Sequence, residues 1–280
     1  AISQAGEDGS FYVQIAHNMA IGHGITFDGV TPTTGVHWGW LLVLSSVFKV
    51  IRTNDPETLF RIAGLAYFLC LLGTGYLVSL RHPLTAVLLV AYLANRGHWD
   101  METHLVLLTL ALLYAYPVAI CGLLVTFART DMVIFALVFA FLTWRWTVAW
   151  GALIGFAIVC AINYGVDGNV ISVSAQIKSA GFNDLETIIR TVGHLAVYYW
   201  PVLEIAGALA VFHLIVQPKI DYEKGLSAGL IASLALLSVH ILHNSETEGW
   251  YLAPLFLTSL LWASYVPVIA IANRRTWAHR

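Results

Sequence analysis

The chain has 280 residues, of which 59% are hydrophobic and 11% charged, and its mean hydropathy is +0.76. Soluble domains carry about 25% charged residues, so this balance excludes an ordinary water-soluble fold and predicts an all-α, polytopic membrane helix bundle. The formal net charge is −2 with no basic cluster, which leaves no electrostatic footprint for nucleic acid.

The first sixty residues read as a polar, acidic loop. A carboxylate pair, Glu7 and Asp8, stands directly before GSFYVQIAHNMAIGHGITFDGVTPTTGVHWGW, a stretch holding His17, His23, Asp28 and His37. Asp28 followed by Gly29 reads as a turn. Residues 38–52, WGWLLVLSSVFKVIR, are apolar with tryptophans at one end and Lys49 and Arg52 at the other, a pattern that predicts a helix lying in the membrane interface.

Behind the loop, apolar runs fall at 61–80, 83–97, 102–116, 117–129, 131–145, 147–164, 192–216, 225–243 and 250–272. Crossing a hydrocarbon core takes roughly 17 to 25 helical residues, so the shorter runs tilt little or thin the bilayer. Only terse breaks separate them: RHP at 81–83, WRW at 144–146 and QPKIDYEKG at 217–225. The chain is therefore read as one module, with 1–60 an exoplasmic acidic loop carrying interfacial helices, 61–280 a transmembrane bundle, and a first transmembrane helix absent from the chain. Cys70, Cys121 and Cys160 sit inside apolar runs without metal-ligand spacing and read as packing residues.

Lysines and arginines divide evenly between the two sides of such a bundle. Arg81, Arg145, Lys219, Lys224, Arg274, Arg275 and Arg280, however, cluster in short turns and the tail, where the positive-inside rule has most force. That makes the first loop exoplasmic. On the same side fall GHWDMETH, with His98, Asp100, Glu102 and His104; ARTD, with Arg129 and Asp131; residues 165–191, with Asp167, Lys178, Asp184, Glu186 and Arg190; and HNSETEGWY. Carboxylates converging from different loops can take a proton from a hydroxyl or hold a hard cation through oxygen, and Arg129 with Lys178 suits a phosphate.

Several of these residues also have plainer readings. Asp184, Glu186, Glu246 and Glu248 read as solvated loop acids. His17, His23 and His104 are isolated and lack the paired spacing of metal ligands, while His98 and Glu102, four apart, share a helix face. Glu204 lies in the middle of an apolar run, where a carboxylate is paired, protonated or functional; protonation with a hydrogen-bonded neighbour is its plain reading.

The segment EDGSFYVQIAHNMAIGHGITFDGVTPTTGVHWGW resembles the first exoplasmic loop of bacterial multi-spanning glycosyltransferases of the GT-C superfamily. Their pattern is an acid pair, an aromatic, A-x-N, GHG, TFDG and a PTNGFHPLW-like stretch. The likeness continues in order: WDMET at 99–103 is similar to GMET or GLET, ARTD at 128–131 matches as it stands, SVSAQIKS at 172–179 is similar to PVSGxxKS, and WYLAP at 250–254 resembles a late WY-x-x-P-like element. The resemblance implies a GT-C-type bundle in the bacterial inner membrane, active on its exoplasmic face. It would move a sugar from a polyprenyl-phosphate donor to a glycan, lipid or protein acceptor, with inversion at the anomeric carbon. It implies Asp8 and Glu7 as the carboxylates that accept the hydroxyl proton, and Arg129, Lys178 and His37 at the donor phosphate. It also admits a divalent cation, Mg or Mn, on Glu102, Asp100 and Asp8.

The sequence departs from that pattern in places. Glu7 stands where the family usually has aspartate, Asp100 replaces the glycine before Met-Glu, Ser172 and Ala175 replace the proline and glycine of PVSG, and WGW replaces PLW. A carboxylate displaced by about 1 Å can cost on the order of 10²-fold in rate. These departures, with a chain shorter than is usual in the family, keep open a second reading: a non-catalytic membrane scaffold, or a subunit bound to other membrane proteins.

Overall fold

Asp55 and Pro56 start the first long helix. The Asp55 side chain accepts a hydrogen bond from the Thr58 backbone N–H at 2.9 Å, capping one of the donors a helix start leaves over, and Pro56 occupies a first-turn position where its missing N–H costs nothing. The computed structural model describes residues 7–95, 102–178, 185–193, 221–243 and 252–263. Among these, the chain is helical between its turns, with one isolated β-bridge, Thr26 to Pro32. The helices are α1 (Glu7–Ile21), α2 (Trp38–Ile51), α3 (Pro56–Ser79), α4 (Pro83–Asn95), α5 (Thr103–Ala115), α6 (Ala119–Ala128), α7 (Met132–Thr143), α8 (Trp146–Asp167) and α9 (Val173–Lys178). They are followed by α10 (residues 185–193), α11 (Asp221–His243) and α12 (Ala253–Ala263).

By length and composition, three described helices can cross a membrane: α3 with 24 residues, α8 with 22, and the Lys224–Leu242 stretch of α11 with 19. Runs 102–116, 117–129 and 131–145 are helical as expected, but as α5, α6 and α7 they have 13, 10 and 12 residues. At 1.5 Å per residue they reach about 15–20 Å, short of a hydrocarbon core of about 30 Å. Most of run 192–216 and part of 250–272, including Glu204, lie outside the described residues.

The long helices turn their bulky apolar side chains outward. On α3, Leu65, Phe68, Leu69, Leu72 and Tyr76 are exposed while Ala63, Tyr67, Leu71 and Thr74 are buried, and on α8 Trp150, Ile154 and Ile158 are exposed while Gly151, Ala152 and Asn163 are buried. Contiguous apolar surface of this kind suits hydrocarbon, not water. Small residues let the inner faces meet. A Cβ on Gly122 of α6 would collide with the Val148 carbonyl of α8, and one on Gly151 with the Ala119 carbonyl, the close approach that small residues allow between membrane helices.

Two hydrophobic cores result. One joins α4 to α8 with α11 and α12, and is tied across by a 2.5 Å hydrogen bond between the buried Tyr114 and Thr258 hydroxyls. The other is built by α1, α2 and α3 with Val159 of α8. The interfacial expectation for 38–52 is met as a helix and corrected in its anchors: Trp38 and Trp40 are 2% and 0% exposed, and the Trp38 indole N–H donates to Asn163 Oδ1 at 2.8 Å. Asn163 supplies an acceptor inside the protein, so the indole has no need of the headgroup region.

Candidate functional site

The first loop folds back onto its own helix. Gly22 and Gly24 adopt positive φ values of 92° and 77°, a backbone that glycine reaches without strain, and the chain turns sharply after α1. The Asn18 side chain then donates to the Thr26 and Phe27 carbonyls at 2.9 and 3.0 Å. Asp28 closes the tip, accepting from the Val30 and Thr31 N–H groups at 2.9 and 2.7 Å. Hydrogen bonds from Thr31 and Val30 hold its carboxyl down to about 2, and it serves as the turn residue the sequence suggests. Thr34 fastens the loop to the end of α8 by donating to Asp167 Oδ2 at 2.6 Å, so Asp167 is structural.

This return delivers His37. Its backbone N–H donates to the Tyr12 hydroxyl of α1 at 3.1 Å, and its ring Nε2 lies 3.5 Å from Glu102 Oε1. Gly39, two residues on, lets α2 press against the end of α6: a Cβ there would stand 2.7 Å from the Phe127 carbonyl oxygen and 2.8 Å from Ala128 Cα. His37 is thereby set close to Arg129, which follows Ala128 directly.

Glu102 stands at the N-cap position of α5, where its side chain makes no capping hydrogen bond, and is 2% exposed. A carboxylate so buried is costly unless a partner compensates it, and a protonated His37 is placed to do so at Oε1. Oε2 is buried with no hydrogen-bond partner among the described residues. Beside it, Tyr12 is held neutral: burial first, and then the Glu102 carboxylate, push its pKa well above the usual tyrosine value, against the opposing pull of the His37 N–H and Arg129.

Arg129 ends α6 and Asp131 precedes α7, so the tight ARTD turn sets them facing each other. Arg129, 5% exposed, places Nη2 2.9 Å from Asp131 Oδ2. The same oxygen lies 2.8 Å from Nε2 of His240, near the end of α11. Burial alone would raise the Asp131 pKa; Arg129, then the hydrogen bond and charge of His240, with a contribution from His37, hold it well below the ordinary carboxylate range. Tyr12, His37, Glu102, Arg129, Asp131 and His240 thus form one continuous polar cluster at one end of the bundle.

Three expected site residues, His37, Glu102 and Arg129, are in this cluster. Glu7, Asp8 and Lys178 are described in backbone only, and Asp8 lies one helical turn before Tyr12 on α1. Asp100 lies outside the described residues. His104, isolated in the sequence, is buried with its ring 3.6 Å from that of Tyr67 and packs as a core residue. For the divalent cation, Glu102 is the one expected ligand with a described side chain, and no three His, Cys, Asp or Glu residues gather for a metal among the described residues. His240 and Tyr12 escaped the sequence reading, although the argument that singled out Glu204, an ionisable group inside an apolar run, applies equally to His240.

No protein-family model matches the chain, and no curated protein or solved structure matches it either.

Proposed function

We propose that this chain is a membrane glycosyltransferase that moves a sugar from a polyprenyl-phosphate donor to an exoplasmic acceptor with inversion, in the manner of GT-C enzymes and in a bacterial inner membrane. The observation that carries the reading is the meeting of His37, Glu102 and Arg129, from three separate segments, at one end of the bundle. The order of the motifs supports it from the sequence side.

In the proposed reaction, Asp8, with Glu7 beside it in sequence, accepts the proton of the acceptor hydroxyl. The hydroxyl oxygen bonds to the anomeric carbon from the face opposite the phosphate, the bond from that carbon to the phosphate oxygen breaks, and the lipid phosphate departs with the electron pair. Phosphate is a good leaving group and needs no general acid; positive charge at its oxygens stabilises the transition state. Arg129 provides that charge, joined by Lys178 and by His37 when protonated. Asp131 and His240 are positioning residues that fix the guanidinium. Glu102 holds His37 in place, and Tyr12 ties the first loop to α1.

The test is transfer of radiolabelled sugar from polyprenyl phosphate in membranes carrying the protein. Asp8→Asn removes ionisation while nearly preserving shape and abolishes transfer; Glu7→Asp, which restores the usual family reach, is tolerated or faster. Full activity in Asp8→Asn sinks the assignment of the base. A parent inactive across a broad donor set, and co-purifying with fixed membrane partners, favours the scaffold.

A further inference from the structure

The outer ends of α1 and α2 enclose a cavity that the polar cluster does not use. The two helices meet at that cluster, where the His37 N–H reaches the Tyr12 hydroxyl, and they pack into one core. α1 ends at Ile21, roughly 14 Å along its axis from Tyr12. There Ile21 and Phe48 form the apolar side of a cavity of about 330 Å³, and Lys49, Arg52, Thr53 and Asn54 supply its polar side. No Asp or Glu is among the described residues that line it.

The chain turns around this cavity at Arg52. Its φ and ψ are 54° and 44°, the left-handed conformation, and its N–H closes onto the Phe48 carbonyl at 2.8 Å. Glycine is the usual residue at such a helix end; an arginine there keeps a second cation beside Lys49. Lys49, in the last turn of α2, also offsets the partial negative charge of the helix end, but that role needs one cation and no cavity. The nearest acids in sequence are engaged elsewhere: Asp55 accepts from the Thr58 N–H at 2.9 Å, and Glu57 pairs with Arg61 at 2.7 Å. The Thr53 hydroxyl oxygen accepts from the Asp55 N–H at 3.2 Å, which leaves its own hydrogen to donate.

The start of α3 sets the level of the cavity. With 24 residues, α3 is about 36 Å long and exceeds a hydrocarbon core of about 30 Å. The surplus falls at the end that carries the exposed Glu57 and Arg61, so the first turn of α3, two residues after Asn54, stands among headgroups. Val50, 81% exposed, and the exposed Ile21 and Ile51 flank the two cations, a mixture that suits the same layer.

We infer that Lys49 and Arg52, with Thr53 and Asn54, form a binding site for a phosphate group at the outer ends of α1 and α2. The phosphate belongs to an anionic headgroup of that leaflet or to a soluble phosphorylated molecule, and the chemistry that holds it is the same. Arg52 offers a planar fork to the phosphate oxygens and Lys49 a point charge, while the Thr53 hydroxyl and the Asn54 amide donate hydrogen bonds. The site stands apart from the polar cluster and does not depend on sugar transfer. Occupation ties the end of α1 to the end of α2, the two helices that carry Tyr12 and follow His37.

The full chain, purified in a neutral detergent, is titrated with inorganic phosphate by calorimetry, and with phosphatidylglycerol and phosphatidylcholine by native mass spectrometry. It is compared with Arg52→Gly and with Lys49→Gln combined with Arg52→Gly. Glycine takes up the backbone of residue 52 without strain, so the unfolding midpoint of Arg52→Gly is expected to equal or exceed the parent's. Phosphatidylglycerol is expected to bind the parent at least about tenfold more tightly than phosphatidylcholine, Arg52→Gly to weaken it about fivefold, the worth of one cation near an anionic surface, and the double variant to lose most of the preference. Saturable binding of inorganic phosphate that the double variant loses, without preference between the lipids, keeps the site and assigns it to a soluble phosphate. Equal binding of both lipids with no phosphate binding overturns the inference, as does parental affinity of the double variant for whichever probe the parent binds. Should the double variant fail to fold, Arg52→Gly decides alone, and an undiminished affinity in it overturns the inference.

Discussion

The two ends of this bundle handle charge in opposite ways. At the polar cluster, Arg129 is buried, and its guanidinium, Asp131 and His240 lock together through contacts of 2.8–2.9 Å. At the other end, Arg81, Arg145 and Lys224 are exposed along the rim of a cavity edged by tryptophan. Buried charges that lose a partner cost several kcal/mol, whereas exposed ones tolerate change. The first end is therefore expected to be rigid and preorganised, and the second adaptable to whatever lipid surrounds it.

The largest effect expected from this contrast comes from Arg129→Leu. It strands Asp131 with His240 alone in a largely buried position, and the expected loss is about 3 kcal/mol, read as a lowered unfolding midpoint in detergent. Gly39→Ala follows. Its methyl group has to push α2 off the Phe127 and Ala128 backbone, costing roughly 1–3 kcal/mol as overpacking does. Because His37 moves with α2, sugar transfer is expected to fall by more than the stability loss alone predicts.

How much of this contrast was legible beforehand varies from residue to residue. ARTD places two opposite charges on either side of one residue, so the pairing of Arg129 with Asp131 is local and readable. The third partner, His240, lies 109 positions away, and no spacing rule connects it to a turn so distant. The helix at 38–51 follows from its apolar run, but the burial of Trp38 depends on Asn163, 125 residues further on. Helix content was readable throughout. The shortness of α5, α6 and α7 was foreshadowed by the runs themselves, 102–116, 117–129 and 131–145, which fall short of the roughly 17 residues a spanning helix needs. The basic end was visible as residues in short turns, yet their convergence on one cavity required the directions of four helices.

A pH titration offers a finer comparison. Because the Asp131 pKa is lowered in the folded state, its contribution to stability is complete above the ordinary carboxylate pKa of about 4 and is lost as pH falls through the folded value. Thermal scans of the parent between pH 7 and pH 3 are expected to show a falling acid limb. Asp131→Asn flattens that limb, and an unchanged limb removes Asp131 as its source. The smallest effect is assigned to the basic end: Trp144→Ala, at an exposed position, is expected to change stability by no more than about 0.5 kcal/mol, measured in the same scans.

The most direct test of the central claim is the rate of sugar transfer from a radiolabelled polyprenyl-phosphate donor in membranes, compared between the parent, Asp8→Asn, Arg129→Lys and Arg61→Gln. Arg61 is an exposed cation of α3 paired with Glu57 and serves as the control. The expected result is no transfer in Asp8→Asn, a raised KM for the donor in Arg129→Lys, where the planar fork is lost but the charge is kept, and parental behaviour in Arg61→Gln. Parental transfer in both Asp8→Asn and Arg129→Lys would contradict the assignment of catalysis to this end of the bundle.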